Sequence, residues 1–495
     1  MNRSIDFQQV ILSFSFCLLA CCTLGFGPTF AQTITHAPLF TFNADSADDN
    51  FGTSVCGAGD VNGDGFADLI VGAWLDDNNG IESGSAQVFS GSDGSVLYNF
   101  DGDSAGDSLG FAVSGAGDVN GDGFADLLVG APRDDNNGLT SGSVRVLSGS
   151  DGSALYNFDG DSPSTGFGAS VSGAGDVNGD GFADIIVGAE GDDTNGSDSG
   201  SARVFSGSDG SILYNFGVDL SFIRFGTSVS GAGDVNGDGF DDLIVGDRSL
   251  GSSQPNCAQV FSGADGSLLY NFDIGSVGNG LSVIVSGAGD VNGDGFADLL
   301  LGTQNFVTGI GSARVFSGVN GNVLYVIDGD SVGDRFGASV DGVGDVNGDG
   351  VPDLIVGVPN DGNNGFNSGR ARVLSGADGT VIYNFDGDSA EDFFGISVSG
   401  AGDVNGDGVA DFIVGAVSGG ANGGGYARVF VSQISGSVPA LLGDANQDGV
   451  VNFLDIAPFI GLLGTGAFLS QADSNQDGAV DFLDIASFIA ILAGG

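Results

Sequence analysis

Apolar residues recur along this chain in short runs, each fenced by Gly, Asp, Asn and Ser. One stretch reads FAVSGAG, FADLLVGA, GSVRVLSG and SALYNFDG, dominated by Val, Leu, Phe and Tyr with turn formers between the runs. Such runs predict β-strands joined by tight turns, and no 3.6-residue periodicity competes with them. The four runs return as a set. Aligned on the first Asp of an acidic loop, the copies begin at Asp60, Asp118, Asp176, Asp234, Asp290, Asp345 and Asp403, spaced by 58, 58, 58, 56, 55 and 58 residues. A period of that size marks a propeller, solenoid or array. Four strands per unit, repeated seven times, predict an all-β fold: a seven-bladed β-propeller of four-stranded blades around a central channel. A β-helix is the alternative, but its repeat is usually much shorter.

The ends of the array carry a further expectation. LFTFNADSADDNFG, from Leu39, matches the fourth-strand pattern LYNFDGDSAGDSLG, from Leu97, yet it precedes the first full unit. The last unit stops after its third run, GYARVFVS. Leu39 to Asn43 is therefore expected to supply the missing outer strand of the last blade and to remove an open joint in the ring.

Composition sharpens this picture. The 495 residues carry 64 acidic side chains against 11 basic ones, all arginine, for a formal charge of -53. A polyanion would be repelled, which argues against nucleic acid as a partner. With 41% hydrophobic residues the chain can still bury a core, so the acidity does not imply disorder. The 93 glycines fit many tight turns, and without a three-residue period they do not fit collagen.

Much of the acid sits in the repeated loop. DVNGDGFAD offers side-chain oxygens at positions 1, 3, 5 and 9, a Gly at position 6 for a sharp turn, and a backbone carbonyl at position 7. Hard cations want six to eight oxygens, and Ca²⁺ tolerates such a loop better than Mg²⁺, which demands a tighter octahedron. Polar β-turns would explain Asn-Gly and Asp-Gly, but not three carboxylates in nine residues, whose mutual repulsion asks for a cation. The expected ligands are Asp60, Asn62, Asp64 and Asp68 in the first copy and Asp118, Asn120, Asp122 and Asp126 in the second. The third and fourth use Asp176, Asn178, Asp180 and Asp184, then Asp234, Asn236, Asp238 and Asp242. Asp290, Asn292, Asp294 and Asp298 form the fifth, and Asp345, Asn347, Asp349 and Asp353 the sixth. Asp403, Asn405, Asp407 and Asp411 complete the set.

Taken with its period, this loop makes residues 39 to 431 resemble the FG-GAP repeats of the integrin alpha-chain propeller. In that family a D-x-[DN]-x-D-G-x-x-D loop joins the first two strands of a blade and binds calcium. Phe-Gly stands at Phe51, Phe167, Phe225, Phe336 and Phe394, whereas Leu109-Gly110 and Leu281-Ser282 depart from it; Gly-Ala-Pro occurs once, at Gly130 to Pro132. The resemblance implies a ligand face opposite the calcium loops, where WLDDNNGIES and DGDSAGDS lie. Trp74, the sole Trp, is the candidate ligand-binding residue there, through stacking on a sugar ring.

After a connector at 432–442 the pattern changes. GDANQDGVVNFLDIAPFIGLL and ADSNQDGAVDFLDIASFIAIL each combine an EF-hand-like ligand spacing, with Asp at position 12, and an apolar stretch suited to a helix. Their expected ligands are Asp444, Asn446, Asp448, Asn452 and Asp455, then Asp473, Asn475, Asp477, Asp481 and Asp484. Residues 443–495 thus resemble a small α-helical type I dockerin, a module that docks on a cohesin domain; a calcium-stabilised cap without a partner is the alternative. About nine Ca²⁺ per chain are expected, seven in the propeller and two in this domain.

Residues 1–31 read as an export signal: Arg3, an apolar stretch from Val10 to Leu24, and small residues before a cleavage expected after Ala31. LLAC, ending at Cys21, resembles a bacterial lipoprotein box and is the alternative. The mature chain, 32–431 plus the tail, contains no run of about 20 apolar residues, so no transmembrane helix is expected, and the protein should be secreted or held at the cell surface. Cys56 falls in the first strand of blade one and Cys257 in the third of blade four, too far apart for a disulfide, so two separate buried thiols are expected.

For catalysis the inventory is poor, with no Lys and only His36, just past the signal. Arg133, Arg224, Arg248 and Arg335 are scattered, while Arg145, Arg203, Arg314, Arg372 and Arg428 recur at one third-strand position, as structural partners of Asp would. The sequence therefore points to an exported calcium-binding propeller for adhesion or for protein or glycan binding, tethered through its tail. A polysaccharide lyase or hydrolase on the same ring is the alternative.

Overall fold

The computed structural model describes residues 37–249, 257–274, 281–305 and 310–432. Within them, 28 strands form seven four-stranded antiparallel sheets. Six sheets run in simple sequence order, as in blade one with Phe51–Gly59, Asp68–Ala73, Ser85–Phe89 and Val96–Asp101. The first strands of neighbouring blades lie against one another and so line the axis. The expected export segment, His36, the connector beyond Ser432 and the expected dockerin-like helices lie outside the described residues.

Burial follows the composition of each run. The second strand, DLIVGA in blade one, is buried at every position, as a continuous apolar run covered on both faces should be. The outer strand VLYNFD is partly or fully exposed at every position. Its aromatics reach the next blade: Phe158 stacks on Phe205 with ring centroids 4.1 Å apart, and Phe216 on Phe261 at 4.0 Å. Tyr98 Oη donates to the carbonyl of Gly149 one blade on, at 2.7 Å, as Tyr156 does to Gly207 at 2.8 Å.

The Phe-Gly pair has a packing cause. Phe51, Phe167, Phe225, Phe336 and Phe394 are almost fully buried in the seams between blades, and Leu109 fills the same place in blade two. The glycine that follows takes a positive φ, +86° at Gly52, and turns its carbonyl onto the glycine of the preceding blade's second strand. A Cβ on Gly415 would lie 2.0 Å from the Gly52 carbonyl oxygen, and one on Gly72 would lie 1.9 Å from that of Gly110. In blade five, Leu281-Ser282 abandons this turn, and Gly246 approaches the carbonyl of Val283 instead.

Ring closure uses both ends of the array. Phe40–Asn43 pairs antiparallel with Tyr426–Phe430, with Phe40 opposite Val429 and Asn43 opposite Tyr426, and completes the seventh blade outside Asp411–Ala416 and Ser397–Gly402. Phe42 then stacks on Phe89 of blade one at 3.9 Å. Cys56 and Cys257 are unpaired, but each is partly buried rather than enclosed, a correction to the sequence expectation. Cys56 sits on a channel-lining strand, with its Sγ 3.6 Å from Ser399 Oγ.

Phe42→Ala should lower the unfolding free energy by about 3 to 5 kcal/mol, because it removes a buried ring that joins the first and last blades. Gly415→Ala should destabilise by a similar or larger amount through the clash with Gly52. Urea denaturation followed by fluorescence checks both; an unchanged midpoint for Phe42→Ala would contradict closure by this strand.

Candidate metal loops and the opposite face

The loops between the first and second strands share most of their internal wiring. In blade one, Asp60 Oδ1 accepts the backbone N–H groups of Gly63 and Asp64 at 2.7 and 3.1 Å, and Oδ2 accepts that of Gly65 at 2.9 Å. Asn62 Oδ1 accepts from Asp64 N at 2.9 Å and Asp64 Oδ1 from Phe66 N at 3.0 Å. Gly63 and Gly65 take φ of +74° and +89°, which lets the amides point inward at the side chains. Asp118, Asp176, Asp234, Asp290, Asp345 and Asp403 are held likewise by loop amides. So are Asp122, Asp180, Asp238, Asp294, Asp349 and Asp407 by the amide two residues on. Asn120, Asn178, Asn236, Asn347 and Asn405 accept as Asn62 does. Asn292 donates through Nδ2 to Asp298, as Asn178, Asn236, Asn347 and Asn405 do to their own position-9 aspartates.

Position 9 behaves differently. Asp68 opens the second strand and is wholly buried; its Oδ2 accepts from Val61 N at 2.9 Å and its Oδ1 from Gly91 N, beyond the third strand, also at 2.9 Å. Asp126, Asp184, Asp242, Asp298, Asp353 and Asp411 repeat both bonds, the last with Ser432 N as its distal donor. Burial pushes the Asp68, Asp184, Asp242 and Asp353 carboxyls up to about 6 and Asp411 to about 7. The resolved ion pairs all involve other aspartates and glutamates.

Among the described residues, no three acidic, His or Cys side chains converge as a metal cluster would. The donor chemistry nonetheless fits a hard cation. Each carboxylate oxygen held by an amide keeps a further lone pair, and the buried position-9 charge lacks a basic counterpart in the resolved ion pairs. Sequence reasoning missed the serines that complete the loop mouth. Ser92, Ser150 and Ser208 donate to the Oδ2 atoms of Asp64, Asp122 and Asp180 at 2.9, 3.0 and 2.8 Å. Their signal was SGSDG, which follows the first three loops at a fixed distance.

The opposite end holds the arginines. Arg145 pairs with Asp103 at 2.7 Å and Arg203 with Asp161 at 2.5 Å, while Arg372 and Arg428 pair with Asp330 and Asp388. These side chains bind blades two, three, six and seven to the connection that enters each. Trp74 is partly buried, edge-on to Phe111 at 5.8 Å, with the Arg133 guanidinium 4.8 Å above its ring. Arg133 in turn reaches Glu82 at 3.1 Å, and Arg224 reaches Glu190 at 3.2 Å, so two of the scattered arginines are also tied into ion pairs.

The chain is similar to known proteins. The FG-GAP repeat matches residues 51–83, 109–147, 167–205, 225–250, 284–316 and 336–374, and the dockerin type I domain matches 442–493. Integrin alpha-5 of Xenopus laevis is 32% identical over 213 residues, 39% of this chain and 20% of that protein. Integrin alpha-V of Gallus gallus is 28% identical over 220 residues, 41% of this chain and 20% of that protein. The chain thus spans about a fifth of the length of these relatives. A solved structure, the Dos1 propeller, aligns with a TM-score of 0.44 at 11% identity, over 80% of this chain and 84% of that one. The ring of seven blades thus carries matches to the FG-GAP repeat, and a match to the dockerin type I domain follows it toward the C-terminus.

Proposed function

We propose that this is an exported, calcium-stabilised propeller that binds a protein or glycan ligand and attaches through its dockerin domain to a cohesin-like partner. The observation that carries this reading is the pairing, in one chain, of integrin-like FG-GAP repeats with a dockerin type I match. In blade one Asp60, Asn62, Asp64 and Asp68, with the carbonyl at position 7, are the residues that would hold the ion; the equivalent positions serve the other blades. Calcium would supply the positive charge that the buried Asp68 lacks. The irregular connections at the arginine-bearing end, with Trp74 among them, are the ligand surface in this reading. The dockerin ligands from Asp444 to Asp455 and from Asp473 to Asp484 would order the docking module.

The pH dependence follows from the buried carboxyls. An aspartate raised from its ordinary 3.8 to about 6 or 7 contributes stability that is fully present below the ordinary value and lost as pH rises through the raised one. Chelated protein should therefore melt at a lower temperature at pH 7.5 than at pH 5, while saturating calcium should raise the pH 7.5 melt and flatten the trend. Calorimetry in both buffers checks this; a melt indifferent to calcium would contradict the metal reading.

Surface plasmon resonance of the full chain on an immobilised type I cohesin should show capture in calcium and loss on chelation. The double variant Asp444→Ala, Asp473→Ala should bind at least about tenfold more weakly, by removing the first ligand of both loops. Equal capture by the variant would contradict attachment through this module. On a glycan array, binding without release of reducing or unsaturated ends is the expected result, reduced by Trp74→Ala; product release would favour the enzyme.

A further inference from the structure

The seven metal loops are not isolated from one another. The aromatic side chain at loop position 7 leans onto the glycine at position 4 of the loop one blade back. A Cβ placed on Gly63 would meet the Phe124 ring at 2.6 Å, and Gly121, Gly179, Gly237 and Gly406 lie equally close to Phe182, Phe240, Phe296 and Phe66. A backbone bond runs alongside. The N–H at position 8 donates to the carbonyl of the preceding position-1 aspartate, from Ala125 to Asp60 at 3.1 Å, Ala183 to Asp118 at 3.2 Å and Ala297 to Asp234 at 3.1 Å. Asp241 to Asp176 at 3.4 Å and Ala67 to Asp403 at 3.1 Å complete five such links. They join the loops of blades seven, one, two, three, four and five into one belt.

The belt stops at blade six. There position 7 is Val351 and position 8 is Pro352, which has no N–H to give, and nothing lies within 4 Å of a Cβ built on Gly293 of blade five. Blade seven offers Val409 where a ring would reach back to blade six.

We infer that cation binding is cooperative along the six linked loops and separate at the loop of blade six; this rests on the calcium reading above. Each link ties a residue that would hold an ion in one loop to the backbone of the neighbouring loop. The position-1 aspartate that accepts the bond contributes a carboxylate to its own loop, and the phenylalanine that covers the glycine carries the position-7 carbonyl of the next. Ordering one loop therefore fixes the backbone its neighbour must order, and the second binding event loses less conformational entropy. Coupling of this kind is typically worth a factor of about 5 or more in affinity.

Hydrogen–deuterium exchange with peptide resolution, on the full chain titrated with calcium from the chelated state, reads each loop separately. The peptides over 60–68, 118–126, 176–184, 234–242, 290–298 and 403–411 should reach half-protection within about twofold of one another, while 345–353 should require about fivefold more calcium. The double variant Val351→Phe, Pro352→Ala, which supplies the missing ring and N–H, should bring 345–353 to the common midpoint. Seven unrelated midpoints, one midpoint shared by all seven loops in the unaltered chain, or no shift in the variant would each overturn the coupling. Absence of protection at every loop would remove the calcium reading, and the coupling with it.

Discussion

The ring depends on a carboxylate buried at the mouth of each blade's second strand. Asp68 and its six counterparts take one amide from the loop before the second strand and another from the turn after the third. They thereby pin three strands of every blade at one end. That arrangement encloses a negative charge in a protein short of cations, and burial alone would drive the group toward its neutral form. In the proposed reading the more accessible aspartates and asparagine above it would form the entry for a compensating ion, which would bring cohesion to the scaffold and account for much of the chain's acidity.

The two ends of the propeller are chemically distinct as a result. One carries the regular acidic loops, each joined to the next by a backbone hydrogen bond except around blade six. The other carries arginines tied to the connections between blades, together with the irregular segments that differ most from blade to blade. Regularity suits the scaffold, because the same loop must satisfy the same backbone amides in every repeat. A specific partner is better served by the end where the repeats diverge.

Much of the fold was legible because its constraints are local and repeated. The period, the four apolar runs and the displaced LFTFN strand specify seven blades and their closure through hydrogen-bonding needs alone. The Phe-Gly and Val-Gly-Ala motifs could be seen but not explained in one dimension, since the glycine of one blade answers to a carbonyl of the next. Position 9 was legible as an oxygen donor but not as a buried one, because its distal amide comes from a turn 23 residues on in blade one. Arg370 escaped notice because it falls outside the repeated third-strand position, yet it bridges Asp361 and Asp386 at 3.3 and 2.6 Å. The thiols illustrate a similar limit: separation followed from the blade order, whereas their partial exposure depended on the channel and on the local fit of blade four.

Metal stoichiometry tests the central claim most directly. Elemental analysis of the full chain, exhaustively dialysed against buffer with trace calcium after purification without chelator, should give about nine calcium ions per chain. A value near two would confine the metal to the dockerin domain and contradict a calcium-held propeller.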